Sequence, residues 1–599
     1  MKKRLMKATL CICLSALTVL AASVPAFATE NSELKFLFKT KTSNGFQYIE
    51  ENNDLKTEKI NNNLLKASPL PASYNLADNG YVSPVKDQGT YNTCWAFSAL
   101  ASLESNMIKS KKSDSSVDLS EKHLIYYNYN GMYDNPDKSL FAGFDTYVTN
   151  GTSSFMQGGS MYMAASTLMR RYGALDESKA PYPNKQDDSL ELDLSLQNKS
   201  DIYVKNVEFL PETTSFETDR YGRVSTQKLR SDNIVSESIN EIKTTLYNKG
   251  AVAASYYSET LNKNQYWNDT YNSYYFDGIL DSGRDNYNLA NHGITIVGWD
   301  DNFSKNNFTK TPPKDGAWII KNSWGDNWGK NGYFYLSYYD LSFSQPVIFE
   351  AENAKYKSNG TTRHEYKNVY QYDGIGFADT QIYYQAPDCK AANFFTAREN
   401  ETLEAISVIT MHDNCTVNYV VYDEIGSSID PTLGCLRVSG SQTFKNKGYY
   451  TIPIDGYIPL KKGERYAVVV NITFDAGGET QSILPCETKY LNTSRIEVKN
   501  NQSAYYMNGR WKAIDSSTTM LDCKIGNATV KAYTNNADDN LYGDVNLDGK
   551  VNVNDATQIQ KYLSELATFS DLQESLADFD NDGRILITDA TEIQRYAAS

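Results

Sequence analysis

At 599 residues the chain exceeds what one hydrophobic core can organise and calls for several domains. Its net charge of −15 and pI near 5.0 exclude nucleic acid as a natural partner and suit a secreted protein. The 45 tyrosines exceed what cores alone require; amphipathic strands use them, and so do binding surfaces.

Residues 1–28 have the form of a secretory signal. Lys2, Lys3, Arg4 and Lys7 precede the apolar run Ala8 to Ala22, and Ala26-Phe27-Ala28 offers small residues for cleavage. That run is short of the roughly 20 residues that span a bilayer, so no transmembrane segment is expected and the mature chain should leave the cell. Residues 29–68 are polar, with Asn61-Asn62-Asn63 and little periodicity.

From Pro84 to Gly89 and through Tyr91-Asn92-Thr93, a loop delivers Cys94 onto the first turn of a predicted helix. Ala96, Leu100, Leu103 and Met107 mark one buried face of it, and Thr93 is placed as its N-cap. A thiol there sits at the positive end of the helix dipole, which favours its anion and lowers its pKa. Two more helices are expected over Glu121–Asn128 and Ser160–Tyr172. Asp187 to Asp232 is polar and acidic and Asn262 to Tyr275 is dense in Tyr and Asn; both read as surface insertions.

A thiolate needs a base. Of four histidines, His292 opens an apolar run, Ile294 to Trp299, that reads as a buried strand. A second such strand, Ala317–Lys321, delivers Asn322. An amide at that strand end can hold the imidazole in the tautomer the thiol requires.

Gln88 with Cys94-Trp95, Asn291-His292-Gly293 and Asn322-Ser323-Trp324-Gly325 together resemble the papain-like cysteine peptidases. So do Leu119-Ser120-Glu121, Gln157-Gly158-Gly159, and Gly325 to Gly332 with Tyr333 after it. The resemblance implies a two-lobed α+β catalytic domain over 69–345. In it Cys94 is the nucleophile, His292 the base and then acid, Asn322 the orienting residue and Gln88 the oxyanion-hole side chain. It also implies an extended-substrate edge at Gly158 and Gly159 and an apolar pocket lined by Met161 and Ala290, although core packing accounts equally for the last two. Residues 29–68 then become a candidate pro-segment. Two departures stand out. Tyr91 and Asn92 occupy the family's cysteine and glycine places, so its nearby disulfide cannot form. And 198 residues separate Cys94 from His292, against about 130 to 150 in the family signature.

Short apolar or alternating runs over Leu403–Thr410, Val417–Tyr422, Tyr449–Ile454 and Tyr466–Thr473, separated by Gly, Asn and Asp turns, predict a β-sandwich over 366–534. Tyr370 to Gly374 with Ala392 to Phe395 resembles the lectin-like domain behind some clostridial papain-like peptidases, which makes carbohydrate a candidate partner beside simple docking onto the peptidase. Cys389, Cys415, Cys435, Cys486 and Cys523 fall here and allow at most two disulfides. His364 and His412 lack metal-ligand spacing.

Residues 541–599 contain an internal repeat of period 34. Asp544, Asn546, Asp548 and Asp555 around Gly549, and Asp578, Asp580, Asp582 and Asp589 around Gly583, follow the oxygen spacing of a calcium loop. The pair resembles a dockerin: small, all-α, and binding two Ca2+ ions. The first ion would use Asp544, Asn546, Asp548, Asn552, Asp555 and the Lys550 carbonyl; the second, Asp578, Asp580, Asp582, Asp589 and the Arg584 carbonyl. Leu586 stands where an oxygen is usual. A dockerin implies a cohesin partner on a cellulosome-like scaffold outside the cell. The expected function is a secreted cysteine endopeptidase on such a scaffold, needing no cofactor for catalysis. A non-catalytic protein of peptidase shape, or an acyl transferase using the same thiol, are the alternatives.

Overall fold

The computed structural model describes residues 34–43, 46–51 and 70–598, apart from 131–146, 148–152, 184–190, 197–198, 219–223, 260–264, 279–289, 354, 357–361, 375, 377–379, 490–495, 522, 537–542, 549 and 580–583. The expected signal segment lies outside the described residues. So do Asp580 and Asp582 of the second calcium loop and both loop glycines.

Helix α1 (Cys94–Lys109) begins at the cysteine, and α2 (Glu121–Asn130) and α3 (Met161–Met169) form where expected. α1 departs from the single buried face predicted for it: 14 of its 16 residues are buried. Several of its polar residues can go inside because each meets a backbone carbonyl of a neighbouring segment. Ser98 Oγ donates to Ile294 O (2.5 Å), Ser102 Oγ to Ala251 O (2.6 Å) and Asn106 Nδ2 to Lys249 O (2.9 Å). A further helix, α4 (Asp232–Lys249), buries Val235, Ile239, Ile242 and Leu246 at helical spacing and ends at Gly250, whose φ of +126° suits glycine.

A thirteen-stranded sheet lies against α1. His292–Asp300 is flanked by Val252–Tyr256 and Ala317–Lys321, both antiparallel, and eight of its nine residues are buried. Covered on both faces, it needs no alternation, hence its continuous apolar reading. The sheet runs on through Ser344–Ala351 to Val204–Phe209. There it crosses into the accessory region, where Glu208 and Val207 pair with Gly448 and Tyr449. Glu401–Thr410, Val530–Asn536 and Asn368–Tyr370 complete it.

This corrects the reading of 187–232 as a surface insertion. Val204–Phe209 within it joins the two halves of the sheet, and Val207 and Phe209 have no more than 1% of their surface exposed. The ribbon Thr214–Thr218 with Val224–Leu229 forms a two-stranded sheet of its own. The second expected insertion, Asn262 to Tyr275, also reaches inward over its described residues: Tyr274 is buried, and the Trp267 ring lies 5.0 Å from Trp328, tilted by 43°.

The accessory region is a β-sandwich. Its second sheet, of ten strands, includes Lys390–Thr396, Cys415–Asp423, Arg465–Asp475, Ser503–Met507 and Arg510–Ala513. Two strands of the candidate pro-segment extend this sheet: Leu34–Ser43 pairs with Thr380–Tyr384, and Phe46–Glu51 pairs with Leu34–Ser43. No disulfide joins the described cysteines; Cys389, Cys415, Cys486 and Cys523 are buried thiols and Cys435 is exposed. At the C-terminus α5 (Val553–Leu563), α6 (Asp571–Ala577) and α7 (Ile587–Ala598) enclose a small core. Its members Ala556 and Ile559 have equivalents in Ala590 and Ile593, one repeat on.

Candidate active site

The strand that carries His292 presses directly on the first turn of α1. A Cβ on Gly293 would come within 2.9 Å of the Cys94 carbonyl oxygen and 3.0 Å of the Trp95 nitrogen, so only glycine permits the approach. Cys94 (3% exposed) and His292 (5%) are therefore brought to one place from positions 198 residues apart.

Asn322 sets the state of the imidazole. Its Oδ1 accepts from the backbone N–H of Ser323 (2.9 Å), which orients the amide, and accepts at 2.8 Å from His292 Nε2. An acceptor on that side requires Nε2 to carry the proton, leaving the lone pair on Nδ1. The Trp324 ring lies 4.5 Å from the imidazole, tilted by 34°, and Tyr256 meets it edge-on at 5.9 Å. These aromatics keep water from the His–Asn bond.

The expected low thiol pKa is not found. Burial pushes the Cys94 thiol up to about 11, opposed by the backbone N–H groups of Gly293, Trp95 and Cys94. Burial pushes His292 down to about 4, against the bond to Asn322. Thr93 occupies the N-cap position but makes no side-chain cap; its hydroxyl meets Tyr182 Oη instead (2.6 Å). The helix end alone does not outweigh desolvation, so burial penalises the thiolate and the imidazolium each taken singly.

Gln88 lies between the two elements. Its Oε1 accepts from Ser323 Oγ (2.6 Å), its Nε2 donates to Tyr91 O (2.7 Å), and its backbone N–H bonds Ser323 O (2.9 Å). The loop that carries it has anchors that sequence reasoning did not single out. Tyr182 Oη reaches Gln88 O (3.1 Å) as well as Thr93. Its ring packs edge-on against Phe97 (4.9 Å) and Tyr91 (6.2 Å). Tyr91 in turn meets Phe155, and Asn92 bonds Phe155 O and Met156 O. An aromatic and hydrogen-bonded clasp thus ties the loop to residues 155–156 where the family uses a disulfide. Beneath it Lys86 Nζ bonds Glu104 and Glu121 at 2.9 Å each, and Lys321 Nζ bonds Ser83. The Glu121 of the expected family motif therefore serves by pinning the loop two residues before Gln88.

Gly158 has φ +80° and accepts from Tyr129 Oη through its carbonyl (2.8 Å); a Cβ on Gly159 would overlap the Trp95 indole. Met161 has no exposed surface and belongs to the core with Trp95 and Leu100; Ala290 keeps 9%. Of the other histidines, His364 Nδ1 pairs with Glu352 (3.1 Å) and His412 Nδ1 contacts Asp413 O (2.6 Å).

Residues 70–342 match the family model for papain family cysteine proteases. They form a papain-family domain. Residues 369–534 match the lectin-like domain and 542–597 the type I dockerin domain. The chain is similar to procathepsin L of Felis catus (27% identical over 269 residues) and to the probable cysteine protease RD19B of Arabidopsis thaliana (25% over 277). Each alignment covers 45% of this chain and spans 61% and 59% of those relatives' lengths. Among solved structures, the protease and lectin-like domains of Cwp84, a surface layer associated protein of Clostridium difficile, superpose with a TM-score of 0.59 at 20% identity. That match covers 85% of this chain and 99% of the other, so the papain-family domain and sandwich share that fold together.

The described part of the dockerin fits calcium. Asp544, Asn546 and Asp548 turn their oxygens onto backbone N–H groups within one tight loop, with Asp548 N bonded to Asp544 Oδ1 (3.0 Å) and Asn546 Oδ1 (2.9 Å). Asp555 is fully buried; burial and the nearby Asp548 push its carboxyl upward, a cost that a hard cation would relieve. Asn552 Oδ1 caps α5 through Asn554 N (2.9 Å). In the second loop Asp589 is buried in the corresponding place and accepts from Phe579 N and Leu586 N, both at 2.7 Å.

Proposed function

We propose that the chain is a secreted cysteine endopeptidase, with a signal over 1–28, a pro-segment over 29–68, a protease domain over 69–345, a sandwich over 366–534 and a dockerin over 541–599. The observation that carries the reading is the Asn322–His292 bond, which leaves the imidazole lone pair on Nδ1. Burial penalises thiolate and imidazolium taken singly, but moving the proton from Sγ to Nδ1 creates both at once, and their attraction offsets the desolvation. Cys94 then attacks the peptide carbonyl. The second Nε2 hydrogen of Gln88 and the Cys94 backbone N–H take the oxyanion, and His292 returns the proton to the leaving amine. Water deprotonated by the same ring releases the acyl-enzyme. Gly158 and Gly159 form the edge along which an extended peptide pairs, with Ala290 at the adjoining pocket and Met161 shaping it from beneath.

The dockerin binds two calcium ions, which cross-link its loops, and docks on a cohesin of an extracellular, cell-surface scaffold. Asp544, Asn546, Asp548, Asp555 and Lys550 O hold the first ion, with Asn552 acting through its cap. Asp578, Asp580, Asp582, Asp589 and Arg584 O hold the second. The deciding experiment is hydrolysis of casein by the mature chain with and without an epoxide thiol inactivator, beside Cys94→Ala. Inactivator-sensitive cleavage absent from the variant is expected; cleavage that survives Cys94→Ala overturns the reading, and products found only as amides with added amines would make it an acyl transferase.

A further inference from the structure

The sheet of the papain-family domain turns one face inward, where Trp299, Trp318, Phe334 and Leu336 pack together, and leaves part of the other open. A groove of about 1300 Å³, open solvent included, crosses that second face. Strand register builds it. Gly298 lies opposite Asn75 on one side and Ile319 on the other, and Ile319 lies opposite Tyr335, so one row spans four strands. A Cβ on Gly298 would come within 2.3 Å of Tyr74 O and 3.1 Å of Ile319 Cδ1, so the gap at the middle of the row is fixed. Tyr333 shares the face with Tyr335 by strand alternation, and Phe303 stacks against the Tyr335 ring at 4.2 Å.

The charge of the groove is divided. Asp78, on the loop after Asn75, and Asp300, at the end of its strand, both line it. Burial, then Asp300 and Asp78, push the Tyr335 hydroxyl up, and burial with Asp78 does the same at Tyr333. Both carboxylates therefore look onto the phenol wall. Asp300 Oδ1 accepts from Asn302 N (2.9 Å), and among the described residues neither carboxylate is paired with a cation. Lys330 stands at the other end: it bridges to Tyr333, whereas Asp300 lies in the row of Ala317 and Ser337. Ile319, Tyr333 and Tyr335 are each only partly buried, which leaves apolar surface for an aliphatic stem. Cys94, His292 and Asn322 do not line this groove.

We propose that the groove is an exosite for a single lysine or arginine side chain on an extended segment of a protein substrate. The cationic head sits between Asp78 and Asp300, and the stem lies along Ile319 and Tyr335. Lys330 repels a second base placed toward Tyr333, which confines the site to one basic residue rather than a run. The inference rests on the peptidase reading only in taking the partner for a substrate.

The test begins with binding to the mature chain carrying Cys94→Ala, which needs no catalysis. The probes are a short peptide of alanine, serine and tyrosine around one central arginine, and its twin with citrulline, an uncharged isostere, in that place. Calorimetry should show the arginine peptide binding about tenfold more tightly. Asp78→Asn combined with Asp300→Asn should abolish the difference with melting temperature unchanged, and Lys330→Glu, at an exposed position, should widen it. Should the double substitution fail to fold, Lys330→Glu carries the test. In the active chain the double substitution should raise KM for a peptide substrate extended by a distal arginine and leave kcat unchanged. Equal binding of the twins, a difference that survives the double substitution, or one that Lys330→Glu narrows would overturn the proposal. An inactive chain that still separates the twins would uphold the site and count against the peptidase reading alone.

Discussion

Asn322 works with a single oxygen: accepting from Ser323 N orients the amide, and accepting from His292 Nε2 selects the tautomer. Replacing it with alanine should lower kcat/KM by about 10²-fold, the range of a mispositioned general base, with little change in KM; steady-state kinetics on a peptide substrate check this. Tyr182→Phe removes one hydroxyl that joins Thr93 to Gln88 O. It should cost about 1 kcal/mol in denaturant unfolding and lower kcat more than it raises KM, because the oxyanion loop loosens. The titrations have opposite signs. His292, held down to about 4, is neutral in the folded chain where the unfolded chain would bind a proton. Stability is therefore present above about 6.5 and lost as pH falls toward 4. Cys94, pushed up to about 11, contributes stability below about 9 that is lost as pH rises toward 11. Melting curves across both ranges, with Cys94→Ala removing only the alkaline arm, test the assignment. The candidate catalytic residues were legible because their chemistry leaves a local pattern. Tyr182 and Glu104 act through contacts that no spacing records, and the upward push on the thiol depends on how deep the fold buries it.

Among the elements, the strand Val204–Phe209 repays attention because it serves both domains. Phe209 stacks on Tyr162 at 4.1 Å and its N–H bonds Lys447 O (2.9 Å) across the boundary. Phe209→Ala should cost ~3–5 kcal/mol and split one calorimetric transition into two. Polar residues around that strand concealed it: Asn206 bonds Thr451 N rather than water, and Glu208 pairs with Lys249. Helix α1 was legible from its apolar spacing and the strands at His292 and Ala317 from their continuous apolar runs, since strands covered on both faces need no alternation. In the dockerin, chelation should melt α5 and α7, read as lost far-UV ellipticity restored by calcium, and Asp555→Asn should abolish the restoration at the first loop.

Over the whole molecule, the two larger domains share a sheet, so residues 70–534 should unfold together while the dockerin melts separately and alone responds to calcium. A protease domain truncated near residue 345 should be poorly soluble, because it loses the strand Ser344–Ala351, which leaves Val204–Phe209 without either neighbour and Val252–Tyr256 as an open edge. The three-part architecture was legible from changes in composition and repeat. The join was not, because a pairing between residues 207 and 449 leaves no mark in either stretch. That shared ladder has an engineering consequence: the peptidase cannot be lifted onto another scaffold by itself. Whoever borrows it must carry the sandwich along, and the natural place to cut a chimera lies past Asn536, where the last strand of the common sheet has ended.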